Sequence, residues 1–177
     1  MKNDEREVLW MSRRQIGRLT RMALLVALEV VLSRFLSIQS PYGKIGFAFL
    51  PLALSGALFG PWGGVAVGTV ADLLGATLFP SGAFFPGFTL TTALKGAVFG
   101  LLFREERPHQ AKIFAAVSLN ALVMGLGLNT LWLSWLYNTS YMALIPTRLA
   151  QELVVIPLQT VLLCLLTRSS LIPRLKK

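Results

Sequence analysis

The chain has 177 residues, of which 54% are hydrophobic and 14% charged, and its mean hydropathy is +0.64. A soluble domain is nearer one quarter charged, so the composition argues against a soluble protein and predicts one compact membrane domain over residues 1–177. One histidine and one cysteine cannot build a His/Cys metal centre, and most of the +9 net charge lies in flanks and connectors, which indicates cytoplasmic ends rather than nucleic-acid binding.

Long apolar runs predict six membrane-spanning helices after a basic cytoplasmic N-terminal flank at 1–17. The helices cover residues 18–38, 46–59, 62–79, 88–103, 112–136 and 143–167. The uncharged run 113–147 is too long for one helix across ~30 Å of hydrocarbon at ~1.5 Å per residue, so the polar stretch YNTSYM divides it.

Basic residues set the orientation of these helices. They concentrate in the front flank, the connector 104–112 and the C-terminal tail. This distribution predicts an all-α, multi-pass protein of the plasma membrane with both termini in the cytoplasm. The loops 39–45, 80–87 and 137–142 then face outside.

One of these outer loops is unusually apolar. The stretch LFPSGAFFPGFTL, residues 78–90, contains four phenylalanines and no charge, although loops are normally polar because they face water. One interpretation is an aromatic belt at the membrane surface. The flexible Gly82 and Gly87 favour a lid over something apolar, with one of Phe84, Phe85 or Phe88 stacking on it.

Six ionisable residues interrupt the predicted helices. They are Glu29, Arg34, Asp72, Lys95, Arg148 and Glu152. Such residues are costly in a bilayer, so they face the bundle interior and find a partner or a ligand. Pairs such as Arg148 with Glu152, four residues apart, could simply fix helix packing. The excess of cations in the outer half instead favours an anionic ligand.

Two further patterns predict contacts with a bound ring and with a neighbouring helix. Asn129 and Trp132, three residues apart, could present an amide and an indole to a flat heteroaromatic ring. Ala23 and Ala27 form an AxxxA pattern that lets another helix approach closely. On an ideal helix these alanines and Arg34 project within about 40° of one another, so a bend or a site at the helix end is required.

Several sequence blocks resemble the folate-specific substrate-binding (S) components of energy-coupling factor vitamin transporters. Beyond AxxxA, they are VLSRFLSI (31–38), IGFAFLPLALSGALFGP (45–61), VADLLGATLFPSGAFFPGFTLTTALKG (70–96), LNTLWLS (128–134) and RLAQELVVIPLQ (148–159). The resemblance implies a non-enzymatic subunit that binds folate near the outer face. It also implies a transmembrane scaffold subunit that contacts Ala23 and Ala27. Two partner ATPases would use ATP, and the chain itself would need no cofactor.

Folate combines a flat pteridine ring, an aminobenzoate and a glutamate with two carboxylates. Cations suit its carboxylates, a carboxylate or amide suits the pteridine edge, and aromatic rings suit its faces. The predicted binding residues are therefore Arg34, Asp72, Phe84, Phe88, Lys95, Asn129, Trp132, Arg148 and Gln151. No catalytic residue or metal ligand is predicted.

Other functions stay open at this point. The chain could bind another flat vitamin, such as a riboflavin-like or nicotinate-like molecule. It could also be a structural assembly subunit, in which the buried charges pair with each other and no ligand binds. A membrane transferase would need a DxxxD-type motif or a His/Asp pair in the loops, and neither is present.

Overall fold

The computed structural model describes residues 2–40, 43–80, 82–103, 105 and 108–169, and most of them are helical. The elements are α1 (Lys2–Arg34), β1 (Ser37–Ser40), β2 (Gly43–Gly46), α2 (Phe49–Leu78), α3 (Pro86–Leu102), α4 (Gln110–Leu119), a π-helix (Asn120–Asn129), α5 (Thr130–Tyr137) and α6 (Tyr141–Arg168). The α4 helix, the π-helix and α5 follow one another without interruption. The basic tail predicted after residue 169 lies outside the described residues.

The α2 helix folds back on itself at Gly60. This residue has φ +75° and ψ −171°, a conformation that favours glycine, and Pro61 follows it. Leu52 and Gly68 would be about 24 Å apart on a straight helix. A β-carbon added at Gly68 would nevertheless lie 2.9 Å from Leu52 Cδ1. The α2 helix is therefore a hairpin with two packed arms, and its turn coincides with the predicted break between residues 59 and 62.

The α3 helix packs backbone to backbone against both arms of this hairpin. Gly64 and Gly96 face each other so closely that a β-carbon on either would collide with the other's backbone. A β-carbon at Gly56 would lie 2.6 Å from the backbone nitrogen of Gly100. Small residues at such crossings let helix backbones touch. This contact fixes α3, and with it Lys95, relative to α2.

An apolar layer fills the interior of the bundle. Phe99 and Phe103 are buried with ring centroids 5.4 Å apart, and they pack with Ile113 and Leu163, which are also buried. A second cluster joins α1 to α2 through residues such as Val30. The buried layer around Phe99 therefore lies next to the cavity at the end of the bundle that carries β1 and β2.

Two parts of the predicted secondary structure are wrong. The first helix begins at Lys2 rather than 18, because residues 2–16 contain no glycine or proline and are rich in helix-favouring side chains. It also ends at Arg34 rather than 38. The described part of the predicted loop 39–45 belongs to an antiparallel hairpin of β1 and β2, in which Ile38 pairs with Ile45. The fold is therefore helical with one small β-hairpin.

Three helices among the described residues are long and apolar enough to cross a bilayer. They are Phe49–Leu78, Gln110–Tyr137 and Tyr141–Arg168. The hairpin form of α2 means that its apolar length is divided between two arms. The length and apolar composition of these three helices are typical of a helical membrane protein.

We expect Gly96→Ala to destabilise the protein by about 1–3 kcal/mol, because the new methyl group forces the α2 and α3 backbones apart. Thermal unfolding in detergent measures this loss. The matched control is Gly127→Ala, whose β-carbon would lie at an ordinary contact distance of 3.6 Å from the carbonyl oxygen of Leu122. Equal melting temperatures for the two variants would contradict the proposed backbone contact.

Candidate functional site

The end of the bundle that carries the β-hairpin contains a cavity of ≈ 400 Å³. This volume lies within the range of about 300–1,000 Å³ that is usual for small-molecule sites. The wall includes every predicted binding residue except Trp132, namely Arg34, Asp72, Phe84, Phe88, Lys95, Asn129, Arg148 and Gln151. Residues far apart in sequence are thus brought to one place.

The same cavity collects all six ionisable residues that interrupt the predicted helices. Three are cations (Arg34, Lys95, Arg148) and three are carboxylates (Glu29, Asp72, Glu152). The predicted excess of cations is therefore not found among the residues that line this cavity. Within the described part of the chain, Arg148 and Glu152 form no ion pair within 4.0 Å, and neither do Lys95 and Asp72. These two ion pairs, which would only have fixed helix packing, are therefore not formed.

The α6 helix contributes the polar wall through one of its faces. Arg148, Gln151, Glu152 and Val155 follow helical spacing and all line the cavity. Arg148 and Glu152 are each only 6% exposed. Among the described residues, Arg148 Nε has no hydrogen-bond partner. A buried polar atom without a partner is costly, so this wall is suited to a ligand that supplies acceptors.

The opposite wall is formed by α1 and α2. Asp72 accepts a 2.6 Å hydrogen bond from Thr89 Oγ1. Glu29 is buried, and its Oε2 has no hydrogen-bond partner in the described part of the chain. The Arg34 guanidinium lies against Gly75 of α2. This wall therefore offers carboxylate acceptors beside a cation.

The position of Arg34 reconciles it with the AxxxA face of α1. The helix runs unbroken to Arg34, which is its last residue. The long side chain reaches across to Gly75, whereas Ala23 and Ala27 are exposed on the outer surface. Arg34 can therefore face the cavity while the two alanines face away from it, because Arg34 lies at the helix end. A bend in α1 is not needed.

A π-helix that the sequence analysis missed supplies the third wall. Asn120, Ala121, Gly125 and Asn129 line the cavity, and π-helical segments often occur at functional sites. Neither Asn120 Oδ1 nor Asn129 Oδ1 has a hydrogen-bond partner within the described ranges. Asn120 could have been selected from the sequence only because it is a polar residue inside the uncharged run 113–147. Nothing in NALVMGLGLN distinguishes a π-helix from an α-helix.

Trp132 lies one layer behind the cavity wall, which differs from its predicted stacking position. Its ring packs on Phe85 with centroids 5.6 Å apart, and Phe85 lines the cavity. The indole Nε1 donates a 3.0 Å hydrogen bond to Thr91 Oγ1. Trp132 therefore supports the aromatic wall from outside. Trp135 is 65% exposed, as expected for a tryptophan at a membrane surface.

Comparisons with known proteins agree with one another. Residues 17–167 match the family described as "ECF transporter, substrate-specific component". The folate transporter FolT of Clostridium novyi (strain NT) is 36% identical over 150 residues, which cover 85% of this chain and 87% of that protein. FolT of Leuconostoc mesenteroides subsp. mesenteroides is 33% identical over 144 residues, covering 78% and 77% of the two chains. A crystal structure of FolT bound with folic acid aligns with a TM-score of 0.77 at 33% identity, covering 82% of this chain and 88% of that one.

We expect Thr91→Val to destabilise the protein by about 1 kcal/mol, because the half-buried indole N–H of Trp132 loses its hydrogen-bond acceptor. Thermal unfolding and the tryptophan emission spectrum measure the effect. Thr77→Val is the control, since the Thr77 hydroxyl is exposed and bonds only to backbone carbonyls of its own helix. Equal stability of the two variants would show that the Thr91–Trp132 contact contributes nothing.

Proposed function

The chain belongs to the substrate-specific components of ECF transporters, and we propose that it captures folate in the cavity at the hairpin end of the bundle. It is a transport component and not an enzyme. The observation that carries the proposal is the collection of six ionisable side chains in one cavity of suitable volume. The folate-transporting relatives and the folic acid complex of a similar fold support the choice of ligand.

The pteridine ring needs hydrogen-bond acceptors for its amino and ring N–H groups. Glu29 Oε2 and Asn129 Oδ1 are buried acceptors with no partner in the described part of the chain, and both residues line the cavity. Asp72 adds a carboxylate that Thr89 holds in place. We assign the pteridine edge to these acceptors, because an unmatched buried acceptor gains most from a donor.

The folate carboxylates need cations. Arg34, Lys95 and Arg148 line the cavity, and Gln151 adds an amide on the same helix as Arg148. Arginine can hold a carboxylate through two parallel hydrogen bonds, which fixes orientation as well as charge. We assign the glutamate carboxylates and the carbonyl oxygens of the ligand to this set.

Aromatic rings would cover the faces of the ligand. Phe84, Phe85 and Phe88 all line the cavity, and the last two meet edge to face with centroids 6.1 Å apart. The apolar character of the loop 78–90 follows from this arrangement, since the loop covers flat rings and does not simply face water. Trp132 keeps Phe85 in place.

The membrane arrangement and the partners are part of the same proposal. We place six spans in the plasma membrane by counting the two arms of α2 separately, with both termini in the cytoplasm. A transmembrane scaffold subunit would contact the exposed Ala23 and Ala27. Two ATPase subunits would supply the energy from ATP. Helix ends on the cavity side would then face outside.

We expect Arg148→Met to weaken folate binding by about 1.5–3 kcal/mol, or roughly tenfold or more in Kd, because a charged hydrogen bond is lost. Isothermal titration calorimetry on the purified chain in detergent measures the change. Arg168→Met is the matched control, because Arg168 is exposed and lies outside this cavity. Equal Kd values for both variants would remove Arg148 from the site.

The proposed orientation predicts the labelling of single cysteines placed in a Cys164→Ser background. Ser140 and Gln110 are both exposed but lie at opposite ends of the bundle. A membrane-impermeant maleimide should label Ser140→Cys in intact cells and Gln110→Cys only after permeabilisation. The reverse pattern would invert the topology.

A further inference from the structure

Two groups of buried glycines in the bundle differ in what a side chain would meet. In the first group, represented by Gly64 and Gly96, a β-carbon would collide with the backbone of a neighbouring helix. In the second group it would collide with an ionisable side chain of the cavity. The second group consists of Gly75, which faces Arg34, and Gly125, which faces Glu152.

The Arg34 guanidinium turns its Nε–Nη2 edge toward Gly75. A β-carbon added there would be 2.7 Å from Nε, 3.1 Å from Nη2 and 3.3 Å from Cζ, and these are its three nearest atoms. At Gly125 the added carbon would collide with Glu152 Oε1 and lie 3.2 Å from Cδ. The next atom, the carbonyl oxygen of Asn120, is at an ordinary contact distance of 3.7 Å. Each glycine thus forms a notch that holds one charged group.

We propose that Gly75 and Gly125 are positioning residues of the binding cavity, where their missing side chains set the places of the Arg34 and Glu152 charged groups and thereby the affinity for folate. This inference rests on the proposed function, since it concerns the same ligand and the same site. It adds two residues that need not touch the ligand at all.

The geometry separates this role from a role in folding. At both positions the atoms that would have to move are the far ends of flexible side chains, which can shift without moving a helix. Alanine also favours a helix more than glycine does. An alanine at either notch therefore leaves the bundle intact and displaces only the charge. At Gly96 the same change displaces backbone.

Displacing these charged groups should weaken folate binding, because their orientation determines how they bind the ligand. A guanidinium that binds a carboxylate through two hydrogen bonds requires a defined plane, and hydrogen bonds weaken steeply away from good geometry. The Glu152 carboxylate lines the same cavity as the cations Lys95 and Arg148. Moving it changes the field that these two cations present to an anionic ligand.

The test compares Gly75→Ala, Gly125→Ala and the control Gly127→Ala in the full chain, using folate titration by calorimetry and thermal unfolding of the same samples. We expect the first two variants to raise the Kd for folate by about tenfold, with melting temperatures equal to or above that of the unchanged protein. Gly127→Ala should bind folate normally.

A double-mutant cycle gives a readout that a merely structural effect would not produce. In an Arg34→Ala background, Gly75→Ala should have no further effect on Kd, and Gly125→Ala should have none in a Glu152→Ala background. Undiminished effects in these backgrounds, or unchanged affinity in both single glycine variants, would overturn this inference alone. Failure of the unchanged chain to bind folate would overturn the proposed function, and this inference with it.

Discussion

The cost of placing charge inside a membrane-embedded helical bundle governs this structure. Ionisable side chains within apolar helices cannot face lipid, so they must share an interior. Here six of them line one cavity. An ion-paired interior would have satisfied the same constraint and left nothing for a ligand. Arg148 and Glu152, both described, are close in sequence yet do not form that pair, so the cavity keeps polar groups that a folate can satisfy.

Close packing elsewhere is what confines the charges to that cavity. The glycine contacts between α2 and α3, such as Gly64 with Gly96, bring backbones together and exclude side chains. The buried layer around Phe99 closes the bundle below the site. A short β-hairpin and an apolar loop lie at the end that contains the cavity. In the proposed complex this loop would cover the flat rings of folate, which aromatic side chains suit better than polar ones do.

Hydropathy and charge were sufficient to predict a helical membrane protein, and the family resemblance is confirmed by the comparisons. The rule that charges in spans turn inward also selected side chains that the structure brings together, although their contact with ligand stays a prediction. Trp132 is the predicted binding residue that does not line the cavity. It lies three residues after Asn129, at the start of the regular helix α5, but Phe85 packs on its indole and lines the cavity in its place. Spacing along one helix does not encode such packing between elements. The π-helix at Asn120–Asn129 was not predictable either, because local sequence does not encode that change in hydrogen bonding.

An experimental structure of the purified chain with folate would test the central claim most directly. The account predicts the ligand inside the cavity, with its pteridine edge on the carboxylate and amide acceptors that include Asp72 and Asn129, and its carboxylates on cations that include Arg148. A complex in which folate lies elsewhere, or in which Arg148 and Glu152 close into an ion pair and exclude the ligand, would contradict it.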